Sequence, residues 1–133
     1  MLDHLFLSVH DVPASVRFYE RALAPLGIAH QVDYKGADGP EGHPDLKGFG
    51  SHGRVYFWLR AGNVGANALH IGFVAGSQAE VDAAYQAAIA AGATGTGAPG
   101  FRLYYDPRYY AANFLDPDGY SIEIVFKSWQ HPR

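Results

Sequence analysis

The apolar positions follow two rhythms along the chain. From residue 11 to residue 27, Val12, Val16, Tyr19, Leu23 and Leu26 recur at helical spacing, while Arg17, Glu20 and Arg21 take the other face. Asp11 supplies an N-cap, Pro13 sits in the first turn where a missing N–H costs little, and Gly27 ends the helix. A second helix opens with Ser77-Gln78-Ala79-Glu80, a capping box in which hydroxyl and carboxylate satisfy orphan N–H groups. It buries Val81, Tyr85, Ala88 and Ile89 and stops at Gly92. Apolar alternation predicts strands at 3–9, 28–34, 49–51, 54–60, 68–74, 93–96, 110–115 and 120–126. The order strand, helix, three strands therefore occurs twice. Superposing the halves sets His4 on His70 and Gly27 near Gly92, a repeat of about 66 residues.

This pattern predicts an α+β fold of two βαβββ modules, 1–62 and 67–127, within one domain spanning 1–133. A chain of 133 residues is too short for two independent cores. The small-residue stretch 61–67 joins the modules, and the Gly/Pro-rich stretches 35–53 and 95–108 read as long loops.

Successive strand side chains point to opposite faces, so each strand can be divided. Leu5, Leu7 and Val9 oppose His4, Phe6 and Ser8; Leu69, Ile71 and Phe73 oppose His70, Gly72 and Val74; Ile122, Ile124 and Phe126 oppose Ser121, Glu123 and Val125. In 54–60 the same rule gives Tyr56 and Trp58 to one face and Val55, Phe57 and Leu59 to the other. Two amphipathic helices need the aliphatic faces, which leaves the opposite faces to line a concave side holding His4, His70 and Glu123. Two imidazoles and one carboxylate are the ligand set of a divalent metal with open positions. A single strand histidine is more often a hydrogen-bonded structural residue; three such residues at repeat-related places favour the metal.

Composition narrows the partners. The chain is 48% hydrophobic and 17% charged, as in folded globular proteins. Its net charge is −3 with ten scattered Lys and Arg, which excludes the basic stripe that nucleic acid needs. There is no cysteine, hence no disulfide, thiolate metal site or cysteine nucleophile, and a cytoplasmic location fits. No run of about 18 apolar residues exists to cross a membrane. Nine tyrosines exceed what packing requires and point to a cavity or interface. His10, His30, His43, His52 and His131 fall in loops, strand ends or the tail, and read as solvated.

Residues 3–9 (DHLFLSV), Phe18-Tyr19, Leu69-His70-Ile71 and residues 116–123 (DPDGYSIE) are together similar to the vicinal oxygen chelate superfamily. That group includes glyoxalase I, extradiol dioxygenases, fosfomycin-modifying thiol transferases and metal-free bleomycin-binding proteins. The resemblance covers nearly the whole chain and implies modules that curl into a cup, helices outside, with metal ligands on the first, fifth and eighth strands. It places His4, His70 and Glu123 at those positions. Glyoxalase I carries a Glu on the fourth strand where Tyr56 and Trp58 stand here, a departure from that enzyme. The chain most resembles a small glyoxalase-like branch sharing residues 97–100 (GAPG) and 109–112 (YYAA).

The expected function is a metal-dependent enzyme, with Zn, Ni, Mn or Fe, acting on a small oxygenated substrate by lyase or isomerase chemistry. An extradiol-type dioxygenase and a non-catalytic, bleomycin-resistance-like binding protein are the alternatives. Glu123, Tyr56 and Tyr104 are the candidate catalytic groups, and Phe6, Ser8, Trp58, Arg102 and Tyr110 the candidate substrate contacts. The segment 101–110 is expected to arch over the cup. Exposed sheet edges predict a homodimer.

Overall fold

The computed structural model describes residues 1–131. Its elements are β1 (Leu5–Val9), α1 (Val12–Leu23), β2 (Ala29–Tyr34), β3 (Leu46–Ser51), β4 (Arg54–Ala61), β5 (His70–Val74), α2 (Gln78–Ala90), β6 (Thr94–Phe101), β7 (Tyr109–Leu115) and β8 (Ser121–Lys127). They form two four-stranded mixed sheets, ordered β1-β4-β3-β2 and β5-β8-β7-β6. β1 pairs with β4, and β5 with β8, in parallel; the other pairings are antiparallel. The fold is α+β with repeated βαβββ modules, as the hydrophobic rhythm predicts.

Both helices begin as their caps require. Asp11 Oδ1 accepts from Ala14 N at 3.0 Å, and Ser77 Oγ from Glu80 N at 3.1 Å. Gly27 adopts φ 74°, a left-handed turn that a side chain would strain. Phe18, Tyr19, Ala22 and Leu23 of α1 and Val81, Ala84 and Ala88 of α2 are buried in one core with the aliphatic faces of both sheets. Phe57 of β4 meets Phe73 of β5 edge-on at 5.2 Å, and Phe18 meets Phe114 of β7 at 6.0 Å. The two modules therefore share their interior.

Two departures from simple alternation matter. The stretches read as loops contain strands: β3 begins at Leu46 and β6 continues to Phe101. Backbone hydrogen bonding stabilises both despite glycines at 48, 50, 95, 97 and 100. In β4, the register runs from Phe49↔Phe57 to Gly50↔Val55, so Tyr56 is an extra residue in a bulge. Below it the parity inverts, and Val55 shares a cavity with Trp58 instead of turning to the helices.

A salient join between the modules is polar. Tyr19 on α1 donates its hydroxyl to Asp116 Oδ2, in the β7–β8 turn, at 2.5 Å. Asp116 Oδ1 accepts from Asp118 N and Tyr120 N, both at 2.9 Å. Burial drives the Tyr19 phenol well above its usual range and raises Asp116, while the Tyr19 bond and the two amides pull Asp116 back down.

Candidate metal centre in an open cup

β5 and β8 bring two of the three expected ligands together. Because β5 pairs with β8 in parallel, His70 lies opposite Ser121, and Gly72 opposite Glu123. The His70 ring bridges its neighbours: Nδ1 is 2.8 Å from Ser121 Oγ, and Nε2 is 3.0 Å from Glu123 Oε1. Gly72 leaves open space above its backbone beside this pair. Glu123 is 9% exposed, and its second oxygen accepts a short hydrogen bond from the hydroxyl of Tyr109 on β7. Burial, then the Glu123 bond and charge, drive the Tyr109 phenol far up, so it stays a donor. Asn113, opposite Glu123 on β7, continues the same face. Its Oδ1 accepts from Arg102 Nη2 at 3.2 Å; the carbonyls of Gly97 and Ala98 accept from the same Nη2, and that of Gly100 from Nη1.

His4 stands elsewhere. Its Nδ1 donates to Asp3 Oδ2 at 2.6 Å. It borders a cavity of about 550 Å³ together with Gly72, Phe73, Val74 and Gly76, the end of β5. The far end of β1 lies against the start of β8: Tyr120 donates its hydroxyl to Ser8 O at 2.7 Å, and His10 N approaches Asp118. His70, paired with Ser121 at the start of β8, is thus toward the Ser8 end of β1, and His4 precedes its other end. Accordingly, among the described residues no three His, Cys, Asp or Glu side chains gather on one point. The expected convergence of His4 with His70 and Glu123 is not met within one chain.

The remaining candidates divide between two half-cups. Beside His4, Phe6 and Trp58 line a second cavity of about 230 Å³ with Tyr34, His43 and Val55. His43, read as solvated, packs edge-on against Phe6 at 6.4 Å and Tyr34 at 5.1 Å. The bulge takes Tyr56 off this face; its hydroxyl is 2.9 Å from Ser51 Oγ and its ring packs on the core. Ser8 contributes its backbone carbonyl to Tyr120. Tyr110 is on the helix side, where its hydroxyl donates to Asp82 of α2 at 2.6 Å, a bond that with burial pushes its phenol up to about 12. Tyr104 is 76% exposed and meets Tyr105 edge-on, and Tyr105 meets Tyr109 at a tilt. Ser121 shares the face of Glu123 in the sequence pattern without being singled out, and the pattern assigns no role to Tyr109 and Asn113. The parity of β7 could have found the latter two: if Phe114 faces the helices, so does Tyr110, and Tyr109 faces Glu123.

The register shows what replaces a fourth ligand. Phe6 lies opposite Trp58 as Gly72 lies opposite Glu123, so Trp58 occupies the repeat-related place of the carboxylate.

Comparison with known proteins agrees with this architecture. Solved structures similar to the chain include a glyoxalase/bleomycin resistance protein from Albidiferax ferrireducens, 30% identical over 94% of this chain and 98% of that one, TM-score 0.77. A glyoxalase/bleomycin resistance protein/dioxygenase family enzyme from Burkholderia phytofirmans is 21% identical over 92% and 95%, TM-score 0.66. A mutant of the fosfomycin resistance protein FosX from Listeria monocytogenes, complexed with Mn(II) and 1S,2S-dihydroxypropylphosphonic acid, is 18% identical over 93% and 87%, TM-score 0.66. The latter two are likenesses of fold. A search of curated proteins finds no match. No helix among the described residues is long and apolar enough to cross a membrane. The family model for the Glyoxalase/Bleomycin resistance protein/Dioxygenase superfamily matches residues 1–124, and the chain belongs to that superfamily.

Proposed function

We propose that two copies of the chain assemble complete cups and that each cup is a divalent-metal site for a small oxygenated substrate, with His70 and Glu123 of one copy and the partner's His4 as ligands. Lyase or isomerase chemistry is the activity this reading favours. The observation that carries it is the His70–Glu123 pair, 3.0 Å apart on adjacent strands, with Ser121 on the outer imidazole nitrogen and Tyr109 on the outer carboxylate oxygen. That donor set fits a metal: imidazole and carboxylate side by side, each oriented by a second hydrogen bond. When bound, a divalent ion here supplies Lewis acidity for charge developing on substrate oxygens.

The chain's own groups do the rest. With a metal bound, Ser121 Oγ would accept a hydrogen bond from His70 Nδ1, and Nε2, which faces Glu123 Oε1, would be the ligating nitrogen. Tyr109 fixes one Glu123 oxygen and leaves Oε1, beside His70, as the ligand atom. Arg102 meets the negative end of a substrate. The need for a second copy follows from the separation of His4 from His70, and from β1 and β5 ending their sheets as unpaired edges.

Elemental analysis of protein purified without added metal tests the ligand set. About one equivalent per chain is expected, lost in His70→Ala. Coexpressing His4→Ala with Glu123→Gln tests the assembly. Each homodimer should be empty, whereas a mixed dimer carries one intact site of two and recovers metal. Completion of the cup within one chain predicts no recovery. The aromatic half-cup of Phe6, Tyr34, His43 and Trp58 favours a second reading, a metal-free binding protein. It predicts ligand binding that survives complete chelation.

A further inference from the structure

β1 and β5 each close one side of a sheet, and no ladder joins them. Between the start of β1 and the end of β5 the sheets part around the cavity of about 550 Å³. Both modules supply its apolar wall: Leu26, Ile28 and Phe57 come from the first, Ile71 and Phe73 from the second. Ile28, Phe57, Ile71 and Phe73 are buried members of the shared core, so the opening reaches the interior. Protein interiors are otherwise packed as densely as organic crystals, with few voids larger than a water molecule. This volume falls within the roughly 300–1,000 Å³ of small-molecule sites.

Two opposite charges stand on its rim without partners. Arg54, the first residue of β4, reaches only the Met1 sulfur at 3.8 Å and lies 5.9 Å from the Tyr56 ring centre. Asp3, one of two carboxylates on the rim, is taken by His4 at 2.6 Å. The other is Glu80, in the first turn of α2. Of the capping box expected there, only one half forms: Ser77 Oγ accepts from Glu80 N, but the Glu80 carboxylate does not return to Ser77 N. It folds back over Gly76 instead, where a Cβ would lie 2.3 Å from Oε2. Among the described residues no donor reaches this carboxylate, and it forms no ion pair with Arg54.

We propose that this cavity is a second ligand site, separate from the His70–Glu123 pair, for a zwitterionic α-amino acid with a large apolar side chain. Its carboxylate meets Arg54, its ammonium meets Glu80, and its side chain enters between Ile28, Phe57, Ile71 and Phe73. An α-amino acid carries both charges on one carbon and sends the apolar group in a third direction, which is the arrangement the rim and wall present. A ligand with a single charge covers either the guanidinium or the carboxylate without pairing it, and that group then loses water for nothing in return. A small polar amino acid pairs both charges but leaves the wall empty. Neither His70 nor Glu123 borders the cavity, so the inference requires no metal.

Calorimetric titration with L-phenylalanine and L-leucine tests the site. It is done in EDTA, because an α-amino acid would otherwise chelate a metal held elsewhere. Both amino acids should bind saturably. 3-Phenylpropionate, which lacks the ammonium, and 2-phenylethylamine, which lacks the carboxylate, should bind on the order of tenfold more weakly than L-phenylalanine, and L-serine not at all.

Two substitutions should then cross over. Arg54→Gln weakens L-phenylalanine and 3-phenylpropionate on the order of tenfold and leaves 2-phenylethylamine as in the parent; Glu80→Gln weakens L-phenylalanine and 2-phenylethylamine and leaves 3-phenylpropionate. Gly76→Ala keeps both charges but displaces the Glu80 carboxylate, and should reproduce the pattern of Glu80→Gln. Circular dichroism establishes that each variant is folded. The proposal is overturned if neither amino acid binds, if either singly charged analogue binds as tightly as L-phenylalanine, or if folded Arg54→Gln and Glu80→Gln affect all three ligands alike.

Discussion

Tyr19→Phe removes one oxygen atom and tests how the modules are held together. The lost hydroxyl donates at 2.5 Å to Asp116, a carboxylate only 4% exposed whose other oxygen is already engaged by two amides. A hydrogen bond to a charged group contributes about 1.5–3 kcal/mol, and an unsatisfied buried acceptor forfeits that in full because no water replaces the donor. The expected loss is therefore about 2–3 kcal/mol at neutral pH, or a urea midpoint lower by roughly 1 M for an m-value near 2 kcal/mol/M. Equilibrium unfolding is followed by circular dichroism at one fixed protein concentration, since association adds to apparent stability.

The sign of the pH dependence follows from Asp116. Burial raises its folded pKa, so its ionisation erodes stability as pH rises from the unfolded value through the folded one, and the Tyr19 bond offsets that erosion by favouring the carboxylate. Removing the bond should cost little where Asp116 is protonated and progressively more as pH climbs. Asp116→Asn should shrink the effect of Tyr19→Phe in a double-mutant cycle. A deficit below about 0.5 kcal/mol at pH 7, or one that grows on acidification, refutes the reasoning.

Three further outcomes separate roles that the sequence leaves together. Tyr109→Phe should weaken metal binding on the order of 10-fold to 100-fold by freeing Glu123, whereas Tyr110→Phe, whose hydroxyl meets Asp82 on the helix side, should leave metal content unchanged by elemental analysis. Ser121→Ala should weaken metal binding to a similar degree, read by competition with a chromogenic chelator, because the His70 tautomer is no longer held. Gly50→Ala would place a methyl 1.8 Å from the Arg54 carbonyl oxygen in the β3–β4 bulge, and should cost about 3 kcal/mol or more in a thermal melt.

How far the chain could be read from its letters depended on contrast between neighbouring positions. β1, β5 and β8 alternate large aliphatics with polar or small residues, so the faces carrying His4, His70 and Glu123 were legible, and Leu7, Ile122 and Ile124 are buried as that contrast demands. β3 and β6 have glycine at every second or third position; their pairing comes from backbone groups, which leave no mark in hydropathy. The face of Tyr56 is not legible because one extra residue reverses parity and nothing in Val55-Tyr56-Phe57 announces a bulge, although its ring borders the cavity of about 550 Å³ beside His4. The position of His4 belongs to a different class of problem. Periodicity fixes which face of a strand a residue occupies, but not where two sheets meet, and the slide of β1 along β5 decides whether two imidazoles on like faces stand together or a strand-length apart. That slide is set by contacts with no repeat, such as Tyr19 with Asp116 and Tyr120 with Ser8. A quasi-symmetric sequence therefore reveals the repeated modules but not how they are joined, because the symmetry of the modules is satisfied equally by joining halves within a chain or between chains.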